Sequence, residues 1–396
     1  MSEFRPAELD LVSRLAPGAA SLPDAAARAG WTSIAEPGDA VANTLIEALG
    51  AERAFTTVVQ RDSVEQIMMR LGAGVLEARV LADGLERWRP RIDRSLMLRR
   101  LEVAAQLGIR LLLPDAPEWP EALNDLGPHG AAALWLRGDP AALGAEPSLA
   151  VVGARASTGY GEHVAAELAA GVAERGVGVV SGAAFGIDGV AHRAALGVGG
   201  RTVAFLAGGP DRLYPSAHAA MLERMMTEPG CAVVTELPVG NSPTRWRFLQ
   251  RNRLIAAVST ATVVVEAGGR SGSLNTAGHA AALGRPLGAV PGPVTSASSV
   301  GCHRLLREYD AQCITGVSDV LELCGGEPES SATSTGRDPL ITRVEDALSA
   351  RTPRETEELA RSTGLGPRDV LAALGGLLGE GRVERTEDGR WRAVKR

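Results

Sequence analysis

The sequence predicts an α/β protein built on a doubly wound parallel sheet. Between residues 148 and 325, short β-rich runs alternate with helical segments, which is the order of strands and crossover helices in a parallel sheet. These runs are apolar on both faces, as is typical of strands buried between two helical layers. The chain has 396 residues, too many for one ordinary core, and two or three domains are therefore expected.

Residues 1–125 are predicted to form a helical domain. Apolar residues recur at helical spacing in the segments AVANTLIEALGAE and SLMLRRLEVAAQLG, and Pro and Gly separate the periodic stretches. No motif associated with chemistry stands out here, so the sequence leaves the role of this domain open.

Residues 126–325 are predicted to carry the sheet, with seven strands in the runs LAVVGA, VGVVSG, RTVAFLAGG, CAVVTELP, ATVVVEAG, PLGAVPG and AQCIT. In folds of this kind, ligands bind outside the carboxyl ends of the parallel strands. Binding residues are therefore expected in the loops that follow the strands.

The end of the chain is predicted to be a linker and a small third domain. Residues 326–338 are polar and lack aromatic and β-branched apolar residues, a composition typical of flexible linkers. Residues 339–396 show three helical patterns and then a hairpin, the order of a winged helix-turn-helix. This segment has 11 Arg and Lys against 10 Asp and Glu, and so near-neutral a module is a poor stand-alone binder of duplex DNA.

The composition limits the classes of function. The net charge of −6 argues against a surface covered in basic residues for duplex DNA, but it allows a local basic groove. No apolar run approaches the ~20 residues needed to span a bilayer, and the N-terminus has no signal-peptide pattern, so a cytoplasmic protein is expected. The four cysteines form no CxxC pair, and no metal, disulfide or cofactor is expected.

The first strand of the sheet is followed by VVGARASTGYG. Gly153 allows a tight turn, and Arg155 projects near the start of the next helix, where free N–H groups favour an anion. The segment lacks a G-x-G-x-x-G pattern, and the second strand does not end in the acidic residue that binds a ribose hydroxyl. A nicotinamide-dependent dehydrogenase is therefore disfavoured.

The second strand runs into the donor-rich loop SGAAFGID. Ser181, Gly182 and Gly186 allow a phosphate to approach the backbone closely. Asp188 falls in the first turn of the next helix, either as a structural acid at a helix N-terminus or as a functional group. His192 lies four residues on, on the same helix face. An Asp–His catalytic pair is disfavoured because the sequence supplies no nucleophile for it.

The stretch TRWRFLQRNR, residues 244–253, packs four arginines and two aromatics together without an acid. Basic residues interleaved with aromatics suit a single nucleic-acid strand, whose phosphates need charge and whose bases can stack. The alternative is an amphipathic helix start with Trp246 and Phe248 in the core.

A further donor-rich turn follows the fifth strand, in EAGGRSGSLNTAGH. Its candidate binding residues are Ser271, Gly272 and Ser273. Three such loops and an arginine cluster at one edge of the sheet favour a polyanion over a single small phosphate.

Together these blocks resemble the DNA processing protein A (DprA, also called Smf) family. The resemblance covers about residues 150–315, through VVGARAS, SGAAFGIDGVAHRAAL, LAGGPDRLYPSAH, TELPVGNSPTRWRFLQRNRLIA, VVVEAGGRSGSLNTAGHAAALGRPLGAVPG and SVGCHRLLREYDA in this order. It implies an extended Rossmann-like central domain, preceded by a helical (SAM-like) domain and followed by a winged-helix domain. It also implies a protein that protects single-stranded DNA and helps to load the RecA recombinase in natural transformation or recombination.

The resemblance further implies the binding residues and the assembly. No catalytic residue is implied, and a homodimer would form through about residues 303–313. The implied nucleic-acid-binding residues are Gly153, Arg155, Ser181, Gly182, Gly186, Asp188, Arg245, Arg251, Asn252, Arg253, Ser271, Gly272 and Ser273.

Two positions depart from the family pattern. Leu249 stands where the family usually has Pro, and Asp310 stands where it usually has Gly. The first change affects the loop geometry beside the arginines, and the second affects the dimer surface. Near that surface, Leu305, Leu306 and Tyr309 form an apolar stripe that either supports a dimer or packs on its own sheet.

Two other functions stay open. Nucleoside-monophosphate phosphoribohydrolases have a related fold and a PGGxGTxxE motif, whose acid assists glycosidic cleavage. Here AGGRSGSLNTAGH has Asn275 and Thr276 and no nearby Glu. A winged-helix transcription regulator would use residues 339–396 to bind duplex DNA. Non-enzymatic binding of single-stranded DNA is the leading hypothesis.

Overall fold

The computed structural model describes residues 4–326 and 339–394. The chain divides into two compact units, Met1–Pro328 and Glu329–Arg396. The first unit contains both the helical residues 1–125 and the sheet, so a domain boundary near residue 125 stays a prediction. The predicted linker, except for Gly326, lies outside the described residues. No helix in the described ranges is long and apolar enough to cross a membrane.

Within the described residues, seven α-helices come first and pack around one hydrophobic core, to which Leu111, Trp135 and Val239 also contribute. The centre of that core is aromatic. The Trp31 ring meets Phe55 at 6.0 Å and Trp88 at 5.1 Å between centroids, both edge to face. The helices are α1 (Pro6–Leu15), α2 (Leu22–Ile34), α3 (Ala40–Leu49), α4 (Ala51–Val59), α5 (Val64–Leu71), α6 (Ala78–Trp88) and α7 (Arg94–Gln106).

Two antiparallel strands that the sequence analysis did not predict join this region to the sheet. Strand β1 (Arg110–Leu112) pairs with β2 (Leu134–Gly138), and β2 pairs antiparallel with β6 (Cys231–Thr235). Trp135 in β2 donates from its indole nitrogen to Thr32 Oγ1 at 3.2 Å. Residues 1–125 are therefore not wholly helical, and the sheet is not wholly parallel. Both strands are short and are separated by a Pro- and Gly-rich connector, which hid them in the sequence.

The seven predicted runs each overlap one strand, and together they form the parallel part of the sheet. The strand order across the described part of the chain is β1-β2-β6-β5-β4-β3-β7-β8-β9. The chain is thus a mixed α/β protein with a large central sheet. The remaining strands are β3 (Ser148–Val152), β4 (Gly178–Ser181), β5 (Thr202–Phe205), β7 (Ala261–Val264), β8 (Leu287–Ala289) and β9 (Gln312–Cys313).

Helices cover both faces of the sheet, as the apolar runs predicted. Along β3, Leu149 and Val151 face one core, and Ala150 and Val152 face the other, because successive side chains in a strand point to opposite faces. The covering helices are α8 (Gly159–Ala173), α9 (Ile187–Gly197), α10 (Ala219–Met225), α11 (Arg245–Val258), α12 (Ser273–Ala282), α13 (Val300–Glu308) and α14 (Val317–Leu323).

The strand order reverses between β3 and β7. The chain adds β4 beside β3 and β8 beside β7, so the loops after the two central strands diverge. Leu149 is paired with Ala261 and Val152 with Val264, and the two strands therefore end at the same level. A crevice at such a switch point is where open α/β sheets bind ligands.

In the second unit, residues 339–394 form three helices and a two-stranded antiparallel sheet. Trp391 lies in its core, which also contains Leu359 and Leu374. This is the predicted order of elements, while the assignment as a winged helix stays a prediction. The elements are α15 (Pro339–Asp346), α16 (Thr356–Thr363), α17 (Pro367–Gly379), β10 (Val383–Arg385) and β11 (Trp391–Ala393).

Candidate nucleic-acid interface

A cavity of about 820 Å³ opens at the switch point between β3 and β7. Five segments form its wall: the turn after β3, the turn after β4, the loop after β5, the first half of α11 with the residues just before it, and the loop from β7 to α12. Nine of the predicted site residues lie on it, and four do not. Those on the wall are Gly153, Arg155, Asp188, Arg245, Arg251, Asn252, Ser271, Gly272 and Ser273.

The turn after β3 brings Arg155 to the cavity. A side chain at Gly153 would lie 2.5 Å from Ile187 and 3.0 Å from the Glu266 carbonyl oxygen, so the turn packs too closely for any residue but Gly. The Ala154 amide donates to that same carbonyl oxygen at 2.7 Å. Arg155 itself is exposed to solvent.

Glu266 fixes this turn from beneath, and the sequence analysis did not single it out. Its buried carboxylate accepts hydrogen bonds from the Thr158 amide (2.8 Å), Thr158 Oγ1 (2.7 Å) and Ser298 Oγ (3.1 Å). Gly161 leaves the room for it, since a β-carbon there would lie 2.2 Å from the carboxylate. The signal in the sequence was an acid directly after an apolar strand, in VVVEAGG.

The turn after β4 shapes the wall from behind. Gly186 has φ +74°, and a β-carbon there would lie 2.3 Å from the Ala154 carbonyl oxygen. Ser181 is fully buried and its hydroxyl donates to a β3 carbonyl at 2.6 Å. A side chain at Gly182 would collide with the Arg251 guanidinium at 2.2 Å. These three residues permit the packing of the wall and are not part of the cavity lining.

Asp188 and Arg251 reach the cavity but are held by the protein. The Gly182 amide donates to Asp188 Oδ2 at 3.2 Å, and the Arg251 guanidinium donates to the carbonyl oxygens of Gly182 (2.7 Å) and Phe205. Burial raises the pKa of Asp188, and the charge of Arg251 opposes that rise. Burial also lowers the pKa of Arg251 to about 10. The two side chains therefore satisfy backbone hydrogen-bonding groups at the ends of β4 and β5.

His192 does not reach the cavity. Its Nδ1 lies 2.7 Å from Thr202 Oγ1, and that hydroxyl donates to the Val179 carbonyl oxygen at 2.8 Å. The hydroxyl oxygen therefore accepts a hydrogen bond from the Nδ1–H group of His192. Burial lowers the pKa of His192 to about 3, so the ring is neutral. Within the described chain no hydrogen bond joins it to Asp188, and an Asp–His catalytic pair is not assembled.

The arginines of α11 divide between two sides of the helix. Arg245 is exposed on the cavity. Arg247 points to the helical region and binds Glu36 through two bonds of 2.9 and 3.1 Å. Burial alone would raise the pKa of Glu36, but the hydrogen bonds and charges of Arg247 and Arg91 outweigh burial and lower it.

Arg253 also lies on the side of α11 that faces away from the cavity. It is 2% exposed and binds both carboxylate oxygens of Glu236, at 2.6 and 2.8 Å. Its guanidinium also donates to the Gly130 carbonyl oxygen at 3.3 Å. The structure therefore does not bring Arg253 to the predicted site.

The loop from β7 to α12 closes the other side of the cavity. Asn252 donates to the Gly272 carbonyl oxygen and to Asn275 Oδ1, both at 3.3 Å, and so joins α11 to this loop. The hydroxyls of Ser271 and Ser273 lie 2.8 Å apart at the start of α12. Arg270 also lies on the cavity and is exposed. The sequence analysis missed it, although an arginine inside a Gly- and Ser-rich loop was a usable signal.

Neither aromatic of the arginine-rich stretch lies in the core. The Phe248 ring forms part of the cavity wall, with the Arg155 guanidinium 4.6 Å from its centroid and the Tyr214 ring 5.9 Å away. Trp246 is 58% exposed and is not part of the cavity lining. The cavity thus combines cations with aromatic faces.

The charge of the cavity is unbalanced. Arg155, Arg245 and Arg270 have no ion pair with a carboxylate anywhere in residues 4–326 or 339–394. Among the described residues that line the cavity, Asp188 is the single acid. The described chain also contains no group of three or more His, Cys, Asp or Glu side chains placed to hold a metal ion. The site is built to attract an anion.

Comparison with known proteins places the chain in a family. Residues 110–325 match the family described as DNA recombination-mediator protein A. A DNA processing protein DprA from Mycobacterium tuberculosis is 43% identical over 392 residues, which cover 94% of this chain and 95% of the relative. This chain belongs to the DprA family.

Other members of the DprA family match in sequence and in structure. Protein Smf of Escherichia coli is 42% identical over 190 residues, 48% of this chain and 50% of that protein. The X-ray structure of DprA from Streptococcus pneumoniae superimposes with a TM-score of 0.59 at 27% identity, covering 76% of this chain and 97% of the other. The large central sheet with its helices is therefore the architecture of the DprA family.

The segment 303–313, implied as the dimer surface of a DprA protein, ends at the edge strand β9. Leu305 is buried in its own core and Leu306 packs against that core, whereas Tyr309 is 38% exposed beneath the Arg304 guanidinium. The apolar stripe therefore belongs mainly to the sheet. Asp310 has φ +52°, a conformation that favours Gly. This gives a physical reason for the Gly that the family resemblance implied at this position.

Proposed function

We propose that this protein binds single-stranded DNA in the cavity between β3 and β7 and catalyses no reaction. The observation that carries the proposal is the set of three exposed arginines, Arg155, Arg245 and Arg270, on one cavity and without carboxylate partners in the described chain. Arginine is well suited to phosphate, because its planar guanidinium donates two parallel hydrogen bonds. Tyr214, which is 47% exposed, and the half-buried Phe248 ring line the same cavity and suit unpaired bases.

The size of the cavity favours a single strand over a duplex. A volume of about 820 Å³ is in the ordinary range for sites that enclose one small ligand, so a nucleotide can enter it while a duplex cannot. The donors Ser271 and Ser273, at the start of α12, add neutral hydrogen bonds beside the arginines. No element of the site offers a pattern for reading base edges, and low sequence preference is expected.

The alternative phosphoribohydrolase is less well supported. Asn275 and Thr276 lie on the cavity where that activity needs a carboxylate. Asp188, the acid on the wall, is occupied by the Gly182 amide and neighbours Arg251. A carboxylate held in this way is poorly placed to assist glycosidic cleavage.

The family description, a recombination mediator, supports the wider role. We propose that the protein protects the strand and helps to load RecA on it, as a homodimer through residues 303–313. The second unit is proposed to be a winged helix that contacts protein rather than duplex DNA. Leu371 and Leu378, one face of α17, are 50% and 46% exposed, an apolar surface that suits protein contact better than base readout.

The decisive experiment measures binding of a labelled single strand of about 20 nucleotides, longer than ordinary single-strand sites, by fluorescence anisotropy. The double variant Arg155→Ala/Arg245→Ala is compared with wild type and with the matched control Arg79→Ala/Arg99→Ala, which removes two exposed arginines of the helical region. The same sequence as a duplex is the second ligand.

We expect wild type and the control to bind the single strand and to prefer it over the duplex. We expect the cavity variant to bind at least tenfold more weakly, since each hydrogen bond to a charged group is worth about 1.5–3 kcal/mol. A wild-type protein that does not bind the single strand would refute the proposed function. Release of free base from a nucleoside monophosphate would revive the enzyme.

A further inference from the structure

Trp246 is an outlier among the tryptophans of this chain. It is 58% exposed, whereas the other five are at most 7% exposed. It follows Arg245, which lies on the cavity, but is not itself part of the lining. Consecutive residues of a helix point about 100° apart, so the indole points out of the cavity, from the same first turn of α11 that carries Arg245. The five buried tryptophans are Trp31, Trp88, Trp119, Trp135 and Trp391.

The backbone that carries Trp246 is held in place. Thr244 is the N-cap of α11, and its hydroxyl accepts a hydrogen bond from the Arg247 amide at 3.2 Å. The Arg247 side chain is anchored in turn to Glu36 and to the Ser242 carbonyl oxygen at 2.9 Å. The first turn of α11 therefore presents a large apolar ring to water from a rigid support. Leaving such a ring exposed forgoes the free energy that its burial would supply.

We propose that Trp246 stacks on an unpaired base just outside the cavity. This inference rests on the proposed function. A single strand carries one base for each phosphate, so a phosphate held by Arg245 brings a base to the neighbouring ring. The cations on the cavity side have no carboxylate partner in the described chain, so the charge beside the ring complements a polyanion. A base that is paired and stacked in a duplex cannot meet the ring.

Trp246 provides its own probe, because it is the solvent-exposed fluorophore among six tryptophans. Quenching of tryptophan emission by acrylamide is measured for the full chain alone, with a single strand, and with an abasic strand of the same length. The Trp246→Phe variant identifies the part of the emission that comes from residue 246. We expect the single strand to quench and shield that part, and the abasic strand to bind without shielding it.

Two variants separate stacking from charge. Trp246→Leu keeps an apolar side chain but removes the aromatic face, and we expect about fivefold to tenfold weaker binding of the single strand. Trp246→Phe keeps a ring and should stay within about twofold of wild type. The salt dependence of binding should be the same in all three proteins, because stacking releases no counterions.

Several results would overturn the inference. If Trp246 stayed fully accessible to acrylamide while anisotropy showed a bound strand, stacking would be refuted and the proposed function would stand. The ring would then be free for a protein partner. Equal shielding by the abasic strand would show a conformational effect and not stacking. Wild-type affinity in Trp246→Leu would also refute it. A wild-type protein that binds no strand at all would refute both this inference and the proposed function.

Discussion

Arg245 and Arg253 lie eight residues apart on α11 but differ in environment and role. Arg245 belongs to the exposed cavity surface, which also includes Arg155 and Arg270. Arg253 belongs to the buried layer behind the cavity, where it is bound to both oxygens of Glu236. A cluster of arginines in a sequence is therefore not by itself a binding site. A partner carboxylate from a distant segment decides which arginines remain available to a ligand.

The largest effect is expected in the buried layer. Arg253→Met leaves the Glu236 carboxylate buried without its partner, and should lower the free energy of unfolding by about 3–5 kcal/mol. Urea denaturation measures the change. The double variant Arg253→Met/Glu236→Leu should recover most of it, because neither charge then remains buried. Wild-type stability in the single variant would mean that the layer does not rely on this pair.

The pH dependence of stability tests a second buried group, His192, whose helix α9 packs on the opposite face of the sheet from α11. In the folded chain its pKa is lowered from 6.5 to about 3 by burial, with His218, Arg251 and Arg193 acting in the same direction. Below pH 6.5 the unfolded chain therefore binds a proton that the folded chain does not. Stability should fall as the pH falls from 6.5 towards 3, by up to about 1.4 kcal/mol per pH unit.

The His192→Gln variant isolates that contribution. Between pH 6.5 and 5 wild type should lose about 2 kcal/mol more than the variant, measured by urea denaturation at each pH. His163→Gln is the matched control, since the side chain of His163 is 77% exposed. A wild-type pH profile in His192→Gln would contradict the buried, neutral state of this ring.

The cavity surface should respond in binding and not in stability. Arg270→Ala removes an exposed arginine without a carboxylate partner in the described chain, so the free energy of unfolding should change by less than about 0.5 kcal/mol. Affinity for a single strand should fall severalfold, and the salt slope should decrease by about 0.7 if one phosphate contact is lost. An unchanged salt slope would remove Arg270 from the binding surface.

The smallest expected effect lies outside both regions, at the edge of the sheet. Asp310 has φ +52°, so Asp310→Gly relieves strain and should stabilise the protein by up to about 1 kcal/mol, without altering DNA binding. Thermal denaturation and anisotropy together check this. A change in the affinity for single-stranded DNA would show that this edge of the sheet is coupled to the cavity.

Most strands of the fold could be predicted from the sequence. Apolar runs such as LAVVGA located the seven parallel strands, because a strand buried on both faces has no polar alternation. Strands β1 and β2 were not predicted from the sequence. Each is short, and β2 pairs with β6 from a distant part of the chain, where Trp135 is opposite Thr235.

Motifs located the loops of the site but could not show which of their residues line the cavity and which support its wall. Ser181 and Gly186 were predicted to contact phosphate, yet they support the wall, because their environment is made by β3 and by the Ala154 carbonyl. Arg253 was predicted for the same role, but it forms a buried ion pair with Glu236, which lies 17 residues earlier. Such assignments depend on tertiary contacts and not on residue type.

Arg155, Arg245 and Arg270, which have no carboxylate partner in the described chain, lie in one cavity. This arrangement also affects the rate at which DNA associates. The whole chain carries a net charge of −6, so at a distance DNA meets a protein of its own sign. At physiological salt, charges separated by more than about 8 Å are largely screened, and attraction begins only at the cavity mouth. Association is therefore expected to proceed without long-range steering, at about 10⁵–10⁶ M⁻¹s⁻¹. The lifetime of the complex, rather than the rate of encounter, would then set its affinity.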